Sequence, residues 1–327
     1  MTLASAETNP LLAAITRADG LLLRSEAVAV GLEQDLRREY TRRRILRLRH
    51  GVYLSSRLWS TLKPDARYLT RIRAYAAISP EPPVFSHYSA AAIWGLPGPA
   101  AWPTDVHITV PPASGGRSRH GIVRHPVEHQ PVIFERDGLR VAPVTDTAVE
   151  MARILPFADA VAMMDRAIHI PRRGASLATR SELELALTAL TGPVRVKGRT
   201  AALRAAEFAS TQSGSGGESV SRANIFLLGF TAPELQVRFD DDAGFIAFVD
   251  FFWRTINKVG EFDGLGKYVK EEYLRGLTTV QAVMAEKNRE DRVRALGPMF
   301  ARWDWEIARN LTVFGRFLSG HGIPRAR

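Results

Sequence analysis

Asp250, Glu261 and Asp263 are the residues whose type and spacing best suit chemistry. The run 245–253 is apolar apart from Asp250. Arg254-Thr255-Ile256-Asn257 reads as a turn, and Lys258 to Asp263 returns the chain with Glu261 and Asp263. Paired positions along an antiparallel hairpin run in opposite order. If Trp253 opposes Lys258, Asp250 opposes Glu261, with Cβ atoms ~4.5–5.5 Å apart. Glu261 and Asp263 share a face because strand side chains alternate. Three carboxylates are therefore expected to converge amid Phe248, Phe251, Phe252 and Val259. Like charges so placed repel, and a raised pKa or a bound divalent cation relieves them. Mg²⁺ (or Mn²⁺) takes carboxylate oxygens and keeps waters, which is equipment for activating water against a phosphodiester. Glu218, at the start of the preceding helix, could add a ligand. Lys267, or Lys287 on a helix over 280–296, could steady the transition state. Two structural alternatives stand beside this: turn chemistry at Asp263-Gly264, and a salt bridge from Asp250 to Arg289 or Arg292.

A second set of residues is basic. The chain carries 44 Lys and Arg against 34 Asp and Glu. Between Leu36 and Arg57 there are eight arginines and one acid, Glu39. A concentrated arginine field suits a polyanion, although a solvated basic helix would look the same. Arg37, Arg38, Arg42, Arg43 and Arg44 are expected on a helix presented to a DNA groove. Arg47 and Arg49 are expected on the outer face of a following hairpin, reaching phosphates and making binding strongly salt dependent. Gln34 is the one candidate there for a bidentate adenine contact.

Several classes are excluded. With no cysteine, there are no disulfides, thiolate zinc sites, iron–sulfur clusters or cysteine nucleophile. No apolar run approaches the ~20 residues of a membrane helix. Met1 to Pro10 does not read as a signal peptide, so a cytoplasmic protein without membrane contact is expected. His87, His107, His120, His125 and His129 match no zinc spacing and read as surface or hydrogen-bonded histidines.

Three parts must position these residues, in an α+β multidomain chain. Residues 1–60 read as three helices and a hairpin, the order of a winged helix-turn-helix. The third helix is expected from about Glu33 to Arg43, and the hairpin around His50-Gly51. Residues 61–209 read as a mixed α/β domain, with strands near 106–110, 121–127 and 139–144. Its helices include 157–168 and one opened by a capping-box pattern at Ser181 to Glu184. Residues 210–217 are Ser/Gly-rich and read as a flexible linker. Residues 218–327 form the last domain.

A resemblance covers nearly the whole chain. Arg47-Leu48-Arg49-His50-Gly51-Val52-Tyr53-Leu54 and the segment Ser86-His87-Tyr88-Ser89-Ala90-Ala91-Ala92-Ile93-Trp94-Gly95-Leu96-Pro97 resemble actinobacterial AbiEi-family proteins. These are antitoxin-like winged-helix proteins of type IV toxin–antitoxin systems. The C-terminal part resembles the PD-(D/E)XK nuclease-like domain related to very-short-patch-repair endonucleases. Gly217-Glu218-Ser219, Val249-Asp250-Phe251, Gly260-Glu261-Phe262-Asp263-Gly264, Lys267-Tyr268, 286–291 and Arg302-Trp303 carry that likeness. It implies metal-binding acids at Asp250 and Glu261 and a helical acid at Glu218. The motif lysine is Asp263 here, so the base is unassigned, with Lys287 or Lys267 as a migrated lysine. Two functions follow: a Mg²⁺-dependent DNA endonuclease targeted by a winged helix, or an operator-binding repressor with a catalytically silent nuclease fold. DNA is the partner in both. The resemblance also leaves room for a cognate toxin and, for a repressor, a homodimer matching half-sites, although no heptad seam is present.

Overall fold

Asn9 and Pro10 start the first helix: the Asn9 side chain accepts from the Leu11 N–H at 2.9 Å, and Pro10 takes the first helical position. The structure is a computed structural model and describes residues 9–112, 121–127, 132–191, 196–264 and 279–326. Lys267, Tyr268, His120 and His129 lie outside the described residues. The architecture is mixed α+β with three sheets, and the chain divides into two units, Met1–Thr147 and Ala148–Arg327. No described helix is long and apolar enough to cross a membrane.

Unit 1 opens with α1 (Pro10–Ala14), β1 (Leu21–Leu23), α2 (Arg24–Ala29), α3 (Glu33–Thr41), β2 (Ile45–Arg49) and β3 (Val52–Ser55). The strands form an antiparallel sheet in the order β1-β3-β2. β1 was not expected, and its packing explains why. Leu22 joins Leu12, Ala27, Leu36 and Ile45 on one face, while Leu21 and Leu23 join Val52, Leu54 and Ala74 on the other. A strand covered on both faces has no polar alternation to betray it.

There follow α4 (Ser56–Thr61), α5 (Pro64–Ala76), β4 (Val84–Phe85), α6 (His87–Trp94), β5 (Val106–Val110), β6 (Ile122–Pro126), β7 (Phe134–Arg136) and β8 (Leu139–Val141). They build a five-stranded sheet ordered β6-β5-β4-β8-β7. α6 is buried from Ser89 to Trp94 and stops at Gly95, whose φ is +69°.

α7 (Val144–Ala152) crosses the division between units. Unit 2 continues with α8 (Phe157–Ile168), α9 (Arg180–Thr188), α10 (Arg199–Phe208) and α11 (Gly216–Leu227). Its sheet has β9 (Glu234–Asp241), β10 (Gly244–Trp253) and β11 (Lys258–Phe262), then α12 (Thr279–Ala295) and β12 (Met299–Trp303). α13 (Trp305–Arg309) and α14 (Leu311–Gly320) follow. The strand order is β12-β11-β10-β9, with β12 parallel to β11. The β10–β11 hairpin has the expected register, Trp253 opposite Lys258 and Phe251 opposite Gly260. Phe251, Trp253, Phe262 and Trp303 pack one core with Phe314 and Leu318, while Val249, Phe252 and Val259 pack another with Val293 of α12.

Two expectations change. The 210–217 segment, read as a flexible linker, is built into unit 2. The Ser210 N–H donates to the fully buried Asp165 carboxylate at 2.7 Å, and the Ser213 and Ser219 hydroxyls bond at 2.9 Å. A buried acid needs donors, and this polar segment supplies one. The capping box lies two residues earlier than expected. Thr179 caps α9 and Glu182 reaches back to the Thr179 N–H.

Gly217 and Gly260 directly precede two of the acids. A Cβ on Gly217 would meet the Phe262 ring at 2.0 Å, and one on Gly260 would meet Trp303 at 2.6 Å. Both rings are buried and have no room to retreat. Helix propensity alone predicts that Gly217→Ala stabilises α11 by ~1 kcal/mol. We expect the opposite sign, a loss of about 1–3 kcal/mol from overpacking. Denaturant unfolding reads this directly, and an unchanged or raised stability would contradict it.

Candidate nucleic-acid interface and carboxylate site

The arginine field lies on α3, the turn after it, and β2. Leu36 and Glu39 face inward, and Arg37, Arg38, Arg42, Arg43, Arg44 and Arg47 are exposed. α3 ends at Thr41, so only Arg37 and Arg38 lie on the helix itself. The Arg44 N–H donates to the Glu39 carbonyl at 3.0 Å and the Arg43 N–H to the Tyr40 carbonyl at 3.0 Å. That is a Schellman ending with Arg43 in the left-handed position, φ +57°, where glycine is usual. Ser56, the first residue of α4, bonds back to the Arg43 and Arg44 carbonyls at 2.8 and 2.9 Å and fixes the turn.

The charges are not equivalent. Arg38 pairs with Asp35 at 3.2 Å, and Arg44 and Arg42 approach Glu39 at 3.5 and 3.9 Å. Arg37, Arg43 and Arg47 have no acid partner among the described residues. Arg49 departs from expectation. The β2–β3 register shifts between Arg47 and Arg49, and Arg49 turns to lie half-buried, 5.0 Å from the Tyr75 ring centre. Burial lowers its pKa from the ordinary guanidinium value. Arg67 and Arg71 of α5, which the sequence reading passed over, flank Trp59 at 5.3 and 5.2 Å from its ring centre. Their signal was the i, i+4 spacing.

In unit 2 the acids are distributed differently from expectation. Glu218 is held at the start of α11, where the Ser215 hydroxyl caps the helix by accepting from the Glu218 N–H. Its Oε2 accepts from the Gly214 N–H at 2.8 Å and from the Gln236 amide at 3.0 Å. The same amide reaches Asp250 Oδ1 at 3.4 Å, and Asp250 Oδ2 accepts from the Phe262 N–H at 3.0 Å. Glu218 and Asp250 thus share one N–H₂ donor.

Glu261 is turned to guanidiniums. Arg289 of α12 donates to it at 3.1 and 3.3 Å and Arg302 of β12 at 2.8 Å; Arg302 also meets Glu290 at 2.7 Å. Lys287, two residues before Arg289, is exposed on α12 and makes no contact with these acids. Asp263 is half-buried, and its N–H donates to the Trp303 carbonyl at 2.7 Å. The expected salt bridges of Asp250 go elsewhere, Arg289 to Glu261 and Arg292 to Asp241 at 2.6 Å.

Among the described residues, no group of three or more His, Asp or Glu is placed to hold an ion. The expected convergence of Asp250, Glu261 and Asp263 on one ion is not found among the described residues, and Glu261 is paired with Arg289 and Arg302. The Glu218–Asp250 pair still suits Mg²⁺, which commonly takes one or two carboxylates together with substrate phosphates.

The histidines hold a surprise. His87, His107 and His125, on α6, β5 and β6, come together. His107 Nδ1 and His125 Nε2 lie 2.9 Å apart, and the His87 and His125 rings stack with centres 3.5 Å apart and planes within 11°. Lone pairs lie in the ring planes, so two stacked imidazoles point in parallel and do not converge on one ion. His107 is buried, and burial reinforced by His87 lowers its pKa to about 4.

An unfolded histidine titrates near 6.5. Between that pH and about 4, the unfolded chain takes up a proton that folded His107 refuses. The stabilisation is full above the unfolded value and is lost as pH falls toward the folded one. We expect His107→Gln to flatten the loss of stability between pH 7 and 4.5 by up to about 3 kcal/mol. A variant as acid-sensitive as the wild type would contradict this.

No protein-family model matches the chain, and no curated protein matches it.

Proposed function

We propose that this chain is a DNA-binding protein that docks α3, the turn after it and β2 onto a duplex, in the manner of a winged helix-turn-helix. The order α1-β1-α2-α3-β2-β3 with a β1-β3-β2 sheet supports that reading. The observation that carries it is Arg43. It holds a backbone conformation that glycine adopts freely and arginine adopts at a cost of about 1 kcal/mol or more. It stands exposed, as do Arg37 and Arg47, and none of the three has an acid partner among the described residues. Strain kept for an uncompensated cation makes sense when a phosphate is the missing partner.

The same reading extends to unit 2 as a PD-(D/E)XK-like domain with Glu218 and Asp250 as ligands of a Mg²⁺ ion. When bound, such an ion supplies Lewis-acid activation of the phosphodiester and of water. Glu218 and Asp250 would hold it, and the Gly214 and Phe262 N–H groups behind them would orient the two carboxylates. One observation favours a second reading, an AbiEi-like antitoxin or operator-binding repressor with a silent nuclease fold: Glu261 is held by both Arg289 and Arg302.

Arg43→Gly tests the DNA reading because its two effects have opposite signs. Folding stability is expected to stay level or rise by up to ~1 kcal/mol. Duplex affinity, read by fluorescence anisotropy, is expected to fall, with the salt slope flatter by about one unit. Unchanged affinity would remove the turn from the interface. Mg²⁺-dependent nicking of duplex DNA, abolished in Asp250→Ala, is the outcome for an active nuclease. A folded protein that binds DNA and leaves it intact with Mg²⁺ or Mn²⁺ establishes the repressor reading instead.

A further inference from the structure

Gln236 lies within β9 with φ +51°, and among the described residues it is the one non-glycine residue inside a strand with a positive φ. Such a conformation persists only where the surroundings impose it. Here the side chain does so. Its Nε2 donates to Glu218 at 3.0 Å and reaches Asp250 at 3.4 Å, while its Oε1 accepts from Arg172 Nη2 at 2.6 Å. Arg172 is itself seated over Phe248, 3.7 Å from the ring centre. The ladder pairs Val237 with Val249 and Leu235 with Phe251, a constant register that sets Gln236 opposite Asp250. The amide is thereby delivered to two carboxylates.

Two carboxylates this close repel unless something positive stands between them. One amide offers two N–H donors and so can serve one oxygen of each acid. The Gly214 and Phe262 N–H groups bond the same two acids. Arg172 settles the amide's orientation, because its guanidinium demands the carbonyl end.

We propose that Gln236 is a positioning residue: its amide holds Glu218 and Asp250 at a spacing that one divalent cation bridges, and Arg172 keeps the N–H₂ end turned toward them. This rests on the reading of Glu218 and Asp250 as cation ligands.

The test uses the full chain, with calorimetric Mn²⁺ titration and with thermal unfolding in EDTA. Gln236→Gly takes the positive φ without strain. It is expected to unfold at or above the wild-type temperature and to bind Mn²⁺ at least tenfold more weakly. Gln236→Glu places a third carboxylate between the two. It is expected to unfold several degrees lower in EDTA and to recover when Mn²⁺ is added. Arg172→Met, which frees the amide to turn, should weaken Mn²⁺ binding less than Gln236→Gly does. Wild type that binds Mn²⁺ together with a folded Gln236→Gly of equal affinity overturns the positioning role alone. Wild type that binds no Mn²⁺ overturns the cation-site reading, and the positioning role with it.

Discussion

Negative groups near the middle of a protein sheet must be compensated, and that requirement organises unit 2. Three acids around β10 and β11 meet donors from other segments. Glu218 meets Gly214 and Gln236, Asp250 meets Phe262, and Glu261 meets Arg289 and Arg302. The donors also tie the fold together. Arg289 and Arg292 pin α12 to the sheet through Glu261 and Asp241. Arg222 of α11 meets the buried Asp165 of α8 at 2.9 Å, where loss of either partner would leave an uncompensated charge. Burial pushes the Asp165 carboxyl upward, against the pull of Arg222.

Unit 1 treats charge in the opposite way. Its arginines crowd onto a helix end, a tight turn and a strand, and among the described residues Arg37, Arg43 and Arg47 have no acid partner. Solvent and salt tolerate such exposed cations at little energy, but a left-handed arginine has a cost that solvent does not refund. The two units thus pose complementary problems. One holds acids together by supplying donors, and the other pairs some of its arginines with Asp35 and Glu39 and leaves others exposed. On the proposed reading, a polyanionic ligand would answer the second arrangement.

Local patterns made part of this legible. The length of the turn at 254–257 was enough for the β10–β11 register, because it is a property of adjacent residues. The extent of α8 was readable for the same reason. Features that depend on distant packing were not. β1 is three leucines buried on both faces. Arg43 left the helix because the backbone closed a Schellman turn without glycine. His87, His107 and His125 meet only because β4, β5 and β6 are neighbours in the sheet. Gln236 meets Asp250 through pairing with a strand outside the hairpin, and Glu261 is paired with arginines from β12 and α12 that follow it by tens of residues.

The central claim is that the uncompensated arginines of unit 1 are the contact with DNA. Each phosphate neutralised by one of them releases a counterion, so the slope of affinity against salt counts the contacts. The most direct measurement is that slope for the wild type and for the triple variant Arg37→Ala, Arg43→Ala, Arg47→Ala on one duplex. The account predicts a slope shallower by about three units in the variant, with folding retained. Parallel slopes for the two proteins would place the DNA elsewhere on the molecule and contradict it.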